Sequence, residues 1–398
     1  MPFVRIDFSS YDSSAALQKR VNVLFEEIQK YPRLVSNLLA FRCDYALPKK
    51  PFLRSLATLH SGFIGLLSVL LLISLFAHVY FLQNFEGVPL TIEICHVLIY
   101  VQGFASFVFL IWWQKSQSEL QVHQSLVSTT SGVGFVKHNA GIYKINSSSF
   151  VFGCLAAFLL VFRLGFSLFS DAFSYRESPL LDYSFLPIQF RLCLLLSAVF
   201  FVFAIPAANS VIFSHIGIVI AEFHSLDCDF SEDINTYQLA VTKHYISLHW
   251  KISQLWFFLS RPITILFSLQ ISVHVVSVLL LATSRFHLTE WPYEIAIGFA
   301  LSLHSVIVLT FVFALALVFR NRATALQLAQ TALVANERAL HDLTYSAVCV
   351  YNGFLQHCSL GISFFELRVI DKPFVFNVIF VSIVAITLHL MYNREVFL

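Results

Sequence analysis

The chain has 398 residues, of which 58% are hydrophobic and only 12% charged, and its net charge is +2. No water-soluble domain hides that much apolar surface, and so small a net charge steers no nucleic acid. What remains is a polytopic membrane protein. Runs such as Leu66 to Phe76 are apolar nearly all round and lack the alternation of a membrane β-barrel, so the expected fold class is all-α.

Residues 1–55 precede the first span. They hold no compact apolar stretch with a small-residue cleavage site, so the first helix is expected to act as its own insertion signal. Within them, Leu17, Val21, Leu24, Phe25 and Ile28 recur near helical spacing and predict an amphipathic helix over Ala15 to Tyr31, ended by Pro32. It lies against the inner face of the bundle or on the membrane surface.

Apolar stretches of the ~20 residues needed to cross a bilayer core run from Leu56 to Leu82, Leu90 to Trp113, Ser149 to Ser170, Pro187 to Val219, Phe258 to Thr283, Pro292 to Phe319 and Phe374 to Asn393. This predicts seven transmembrane helices, six of them within 56–319, with inner loops at 114–148 and 220–257. Ser128 to Gly134 reads as a linker, because Gly132 and Gly134 lack the third glycine and the strand of a nucleotide loop. Arg320 to Gln356 contains no proline, a single glycine (Gly353) and many strong helix formers, so 320–373 reads as a helical cytoplasmic segment before the last span at 374–398.

Positive charge sets the orientation. Of 25 Lys and Arg residues, 19 fall before the first span or in the loops after the second, fourth and sixth. Arg176, Arg285 and Arg394 are the three on the other side. The N-terminus is therefore expected inside and the C-terminus outside, in a multi-pass protein of the plasma membrane. A G-protein-coupled chemoreceptor has the reverse topology, and neither an Asp-Arg-Tyr motif after the third span nor an Asn-Pro-x-x-Tyr motif in the seventh is present. Two features favour that rival: the sequon Asn146-Ser147-Ser148, and Cys154 with Cys228 as a disulfide pair.

The last forty or so residues carry a more specific signal. Gly361-Ile-Ser-Phe-Phe-Glu-Leu-Arg precedes a polar break at Ile370-Asp371-Lys372, and Ser382-Ile383 is separated by five residues from His389-Leu390. This resembles the Thr-Tyr, five hydrophobics, Gln-Phe signature in the last helix of insect gustatory receptors, with Ser, Ile, His and Leu in the four signature places. The resemblance to the insect gustatory and odorant receptor superfamily extends over the whole chain in span number, orientation and loop lengths. It implies a chemosensory, ligand-gated cation channel subunit assembled as a homo- or hetero-tetramer. Helices four to six would project into the cytoplasm to pack with the first half of a split helix seven, and four copies of that helix would line the pore. A non-conducting protein of the same seven-helix fold is the other alternative.

Ionisable residues in spans face the bundle interior or water. Glu93, His96, Arg163, Arg191 and His274 fall in the outer halves of their helices, His304 lies nearer the middle, and Tyr293 and Glu294 sit at the mouth of the sixth. With Tyr100, Phe166, Phe190 and Trp291 nearby, they outline an expected pocket for a small organic molecule with an apolar body and one polar handle. Arg163 needs a carboxylate, and Glu93, at a similar expected depth, is the partner the sequence suggests. Asn377, Ser382 and His389 form the expected pore stripe, Asn377 somewhat rotated from the other two.

No His-x-x-x-His cluster, Gly-x-Ser-x-Gly elbow or phosphate loop is present, so no enzyme, metal site or cofactor is expected. Cys349 and Cys358 do not fit a zinc ribbon.

Overall fold

A computed structural model of the chain describes residues 14–28, 51–115, 132–169, 183–233, 239–285 and 297–308, with isolated positions elsewhere. Most of the 320–373 segment and of the last span, including Ser382 and His389, lies outside the described residues, as do Trp291 and Tyr293. The described chain is almost wholly helical: α1 (Ser14–Ile28), α2 (Pro51–Phe81), α3 (Gly87–Lys115), α4 (Val133–Leu168), α5 (Ile188–Asp233) and α6 (Leu239–Arg285). A further apolar helix, α7, is described over Ile297–Val308. Each of α2 to α6 contains a stretch long and apolar enough to cross a bilayer. A minimal antiparallel pair, β1 (Ser363–Phe364) and β2 (Arg368–Val369), aligns Ser363 with Val369 and lies against α6.

Helices α2 and α4 show why amphipathicity in the usual sense is missing. Leu59, Phe63, Leu66, Ile73 and Phe76 of α2, and Val151, Leu155, Phe158 and Phe162 of α4, form exposed apolar stripes at helical spacing. Lipid is as apolar as the core, so both faces of a span are hydrophobic and only the polar residues mark the inside. Helix α5 is the axis of the bundle, packing on α2, α3, α4 and α6. It is buried at Leu194, Ala198, Phe201, Ala208 and Ile212 and on to Leu226.

Small residues let the neighbours of α5 approach closely. A Cβ added at Gly103 of α3 would stand 2.7 Å from the Phe201 carbonyl oxygen, and one at Gly134 of α4 would stand 2.6 Å from that of Ala221. At Gly153 the obstacle is the Pro206 side chain, at 2.9 Å.

Three helices are longer than their apolar stretches. Helix α4 begins at Val133 rather than Ser149, α5 continues past Val219 to Asp233, and α6 starts at Leu239 rather than Phe258. The 46 residues of α5 reach roughly 70 Å at 1.5 Å per residue, more than twice the ~30 Å of a hydrocarbon core. The 133–148 stretch, expected as loop, is helical despite Lys137, His138, Asn139 and Asn146 because it packs on protein. Helix α1 lies on it, with Val21, Phe25 and Ile28 closing over Phe135, Val136, Ile142 and Ile218.

Polar groups lock this α1 end. Glu222 of α5 accepts from the Phe135 amide, one of the unpaired donors of the first turn of α4, at 2.7 Å. Asn146, only 1% exposed, donates to the Ile28 carbonyl at 3.2 Å and accepts from Ser210 at 2.9 Å. Its side chain is committed to protein, and no glycan fits there. No disulfide joins Cys154 and Cys228 in this structure.

Replacing Gly103 by Leu forces α3 away from Phe201, with an expected loss of about 1–3 kcal/mol as in other overpacked interiors. Gly62→Leu, at a site with nothing within 4 Å, is the control; thermal unfolding of the detergent-solubilised protein should fall for the first and not the second. A second expectation concerns His249, on the α6 extension beyond the span, buried with its ring 5.0 Å from that of Phe223. Burial pushes it down from 6.5 to about 4. A histidine held neutral in the folded state contributes stability above its unfolded value of 6.5 that is lost as pH falls towards 4. His249→Gln should flatten the stability profile across that window, and an unchanged acid slope would refute the assignment.

Candidate functional site

Two polar clusters and a pocket occupy the bundle between its middle and the end where the Leu82–Asn84 turn joins α2 to α3. The first cluster is built on that hairpin. His78 stands in the last turn of α2, and Glu93 and His96, three apart on α3, share a face. His78 Nδ1 lies 2.7 Å from Glu93 Oε1, and His96 Nδ1 lies 3.2 Å from Glu93 Oε2. Tyr183, from the segment entering α5, donates its hydroxyl to Glu93 Oε2. Burial and the adjoining Glu93 carboxylate hold the Tyr183 phenol well above its ordinary range, so it remains a donor. Tyr100 packs its ring 4.6 Å from that of His78 and donates to the Leu194 carbonyl at 2.9 Å.

The second cluster joins three helices. Arg163 Nη1 of α4 is 3.3 Å from His304 Nε2 of α7, and His304 Nδ1 is 2.8 Å from His274 Nδ1 of α6. Arg163 can only donate, so His304 accepts at Nε2 and carries its proton on Nδ1. That proton points at His274 Nδ1, which must accept and keep its own proton on Nε2. The arginine therefore sets the tautomer of both rings. Cys95 stands between the clusters, with its thiol in contact with Arg163 and Ser277.

The pocket is a partly open cleft among α4, α5, α6 and α7 with a cavity volume of about 50 Å³. Its wall is mostly apolar, with Phe152, Ala156, Leu160, Val202 and Phe213 among the lining residues. Polar character comes from Ser149, Asn209 and His274. Asn209 Oδ1 is shielded from solvent and has no hydrogen-bond partner among the described residues. Such a carbonyl is costly to leave bare and is a ready acceptor for a ligand.

Of the residues singled out in the sequence, Glu93, His96 and Tyr100 meet in the first cluster and Arg163, His274 and His304 in the second. The expected Glu93 partner of Arg163 is instead engaged by His78, His96 and Tyr183, and Arg163 turns to His304. Arg191 bridges two helix ends, donating to the Leu186 and Leu168 carbonyls at 3.1 and 3.2 Å. Phe166 and Phe190 are exposed, at 46% and 36%. Asn377 is exposed among the few described residues of the last span. His78, Tyr183 and Asn209 escaped sequence reasoning. Asn209 has a faint signal, an amide well inside the 33-residue apolar stretch from 187 to 219, whose other amide, Gln189, stands at its edge.

A double-mutant cycle tests the second cluster. Arg163→Met and His304→Phe should show a coupling of roughly 1–2 kcal/mol in thermal unfolding, the size expected for residues in one hydrogen-bond network. Additive losses would remove Arg163 as the partner that holds His304.

No protein-family model matches the chain, and no curated protein matches it in sequence. Solved structures do. The insect olfactory receptor OR5 from Machilis hrabei in complex with eugenol superposes with a TM-score of 0.65 over 96% of this chain and 100% of that chain, at 14% sequence identity. A second structure of OR5 from Machilis hrabei gives a TM-score of 0.62 over 95% and 99% of the two chains, also at 14%. The chain thus has the fold of an insect olfactory receptor, as the superfamily resemblance implied.

Proposed function

We propose that this chain is a chemosensory receptor subunit of the gustatory-receptor-like type, forming a ligand-gated cation channel in the plasma membrane with its N-terminus inside. The observation that carries the reading is the pocket among α4 to α7, an apolar cleft with one bare carbonyl acceptor at Asn209 Oδ1. Its natural occupant is a small organic molecule with an apolar body and one hydroxyl or N–H donor. Full-length likeness to a receptor solved in complex with eugenol supports a binding role for this fold.

Assembly follows the same reading. Four subunits, identical or mixed, would surround a pore lined by the last helix, with Asn377, Ser382 and His389 as its polar positions. The charge asymmetry along the chain supports the inward N-terminus. The commitment of Asn146 to Ile28 and Ser210 argues against the reversed G-protein-coupled topology, whose glycan would need that side chain free.

Expression in cells without other chemoreceptors, followed by current recording against a panel of small aromatic and aliphatic alcohols, tests the proposal. Asn209→Leu should shift half-maximal activation by an alcohol roughly tenfold, the worth of about one hydrogen bond. The response to the same molecule without its hydroxyl should stay in place. Equal shifts for both would remove Asn209 as the polar contact, and binding without current would leave a non-conducting protein of this fold.

A further inference from the structure

The geometry points to a divalent transition-metal site of the Zn²⁺ class at the α2–α3 hairpin, formed by His78 Nδ1, His96 Nδ1 and the Glu93 carboxylate, with Tyr183 positioning the carboxylate. These donor atoms all lie within 4.8 Å of one another. No other group of three histidine, cysteine or acidic ligands converges in this way among the described residues. A tetrahedral ion with bonds of about 2.0–2.1 Å needs ligand separations of about 3.3 Å. The two imidazole–carboxylate contacts, 2.7 Å to Oε1 and 3.2 Å to Oε2, are near that spacing, and the ligand set as a whole spans up to 4.8 Å, which the ion would draw in.

Charge gives the independent argument. Glu93 is completely buried, yet among the described residues no Lys or Arg pairs with it; its partners are two imidazoles and a phenol. A lone carboxylate in hydrocarbon is expensive to keep ionised. A divalent cation would add the positive charge that two neutral imidazoles and a phenol do not carry. Two imidazoles and one carboxylate are the donor set that zinc accepts, leaving its fourth position for water.

The imidazoles are also free to change tautomer. His78 Nε2 and His96 Nε2 are buried and have no hydrogen-bond partner among the described residues. When Nδ1 of each ring turns from donating to Glu93 to binding the ion, its proton moves to Nε2 and no net proton is lost. Tyr183 continues to donate to Oε2, which leaves Oε1 for the metal. The bound ion would fasten the end of α2 to α3, and through Glu93 to the segment entering α5.

The test uses the full-length protein in lipid nanodiscs, stripped with chelator, dialysed against Zn²⁺ and assayed for metal by mass spectrometry. One ion per chain is expected in the wild type and none in Glu93→Gln or in His78→Ala with His96→Ala. Tyr183→Phe should keep the stoichiometry but bind about 10–100-fold more weakly, as loss of a group that orients a ligand does. Co²⁺ in place of Zn²⁺ reads the site without any variant: intense visible absorption marks tetrahedral nitrogen and oxygen ligation. Failure of the wild type to retain stoichiometric Zn²⁺, a weak octahedral Co²⁺ spectrum, or an ion held equally by the double histidine variant would overturn the assignment.

Discussion

A bilayer core offers no water, so a polar group carried into it is costly unless the protein itself supplies a partner. The arrangement of α2 to α7 follows from that constraint. His78, Glu93, His96, His274 and His304 are all 2% exposed or less, while Leu66, Ile73 and Phe76 of α2 and Leu155, Phe158 and Phe162 of α4 are exposed. The polar residues thus decide which face of each helix turns inward. Glu93 can be accommodated only where α2 and the Tyr183 segment bring donors to it, which sets how the hairpin closes and where the chain enters α5. Arg163 likewise fixes α4 against α7, and through His304 against α6.

Helix α5 gives these contacts a common support. Its neighbours reach it through glycines that remove the side chain at the point of closest approach, at Gly103 and Gly134 against backbone and at Gly153 against Pro206. Close approach makes dispersion contacts dense where no hydrophobic drive separates helix from lipid. Beyond the membrane the same helix continues as a water-side post. There the ordinary rules of soluble proteins return: α1 covers an apolar patch, Glu222 satisfies a helix N-terminus, and His249 is buried neutral.

The spans were legible because ~20-residue apolar runs are a strong signal. Their extensions were less so, since Val133 to Asn146 carries as many polar residues as a loop and is helical only through its packing on α1 and α5. That Glu93 and Arg163 need buried partners was readable, but which partners was not. Depth is one coordinate, and pairing also depends on rotation about each helix axis; His78, with no motif around it, rotates to face Glu93 first. Asn209 could not be ranked from sequence because an amide in a span is usually spent on a neighbouring helix. Among the described residues its carbonyl is not so spent.

The tautomer order in the second cluster links the buried charge to the pocket. Because Arg163 must donate, His304 is held with Nδ1 protonated and His274 with Nε2 protonated. His274 also lines the pocket opposite the bare carbonyl of Asn209 on α5. The polarity seen by an occupant is thus set partly from outside the pocket, by a guanidinium two side chains away. An aliphatic replacement of Arg163 would leave both rings free to exchange tautomers without altering any atom of the pocket wall. The hydrogen-bonding character of the His274 edge of the pocket therefore belongs to the Arg163–His304–His274 chain as a unit rather than to His274 alone.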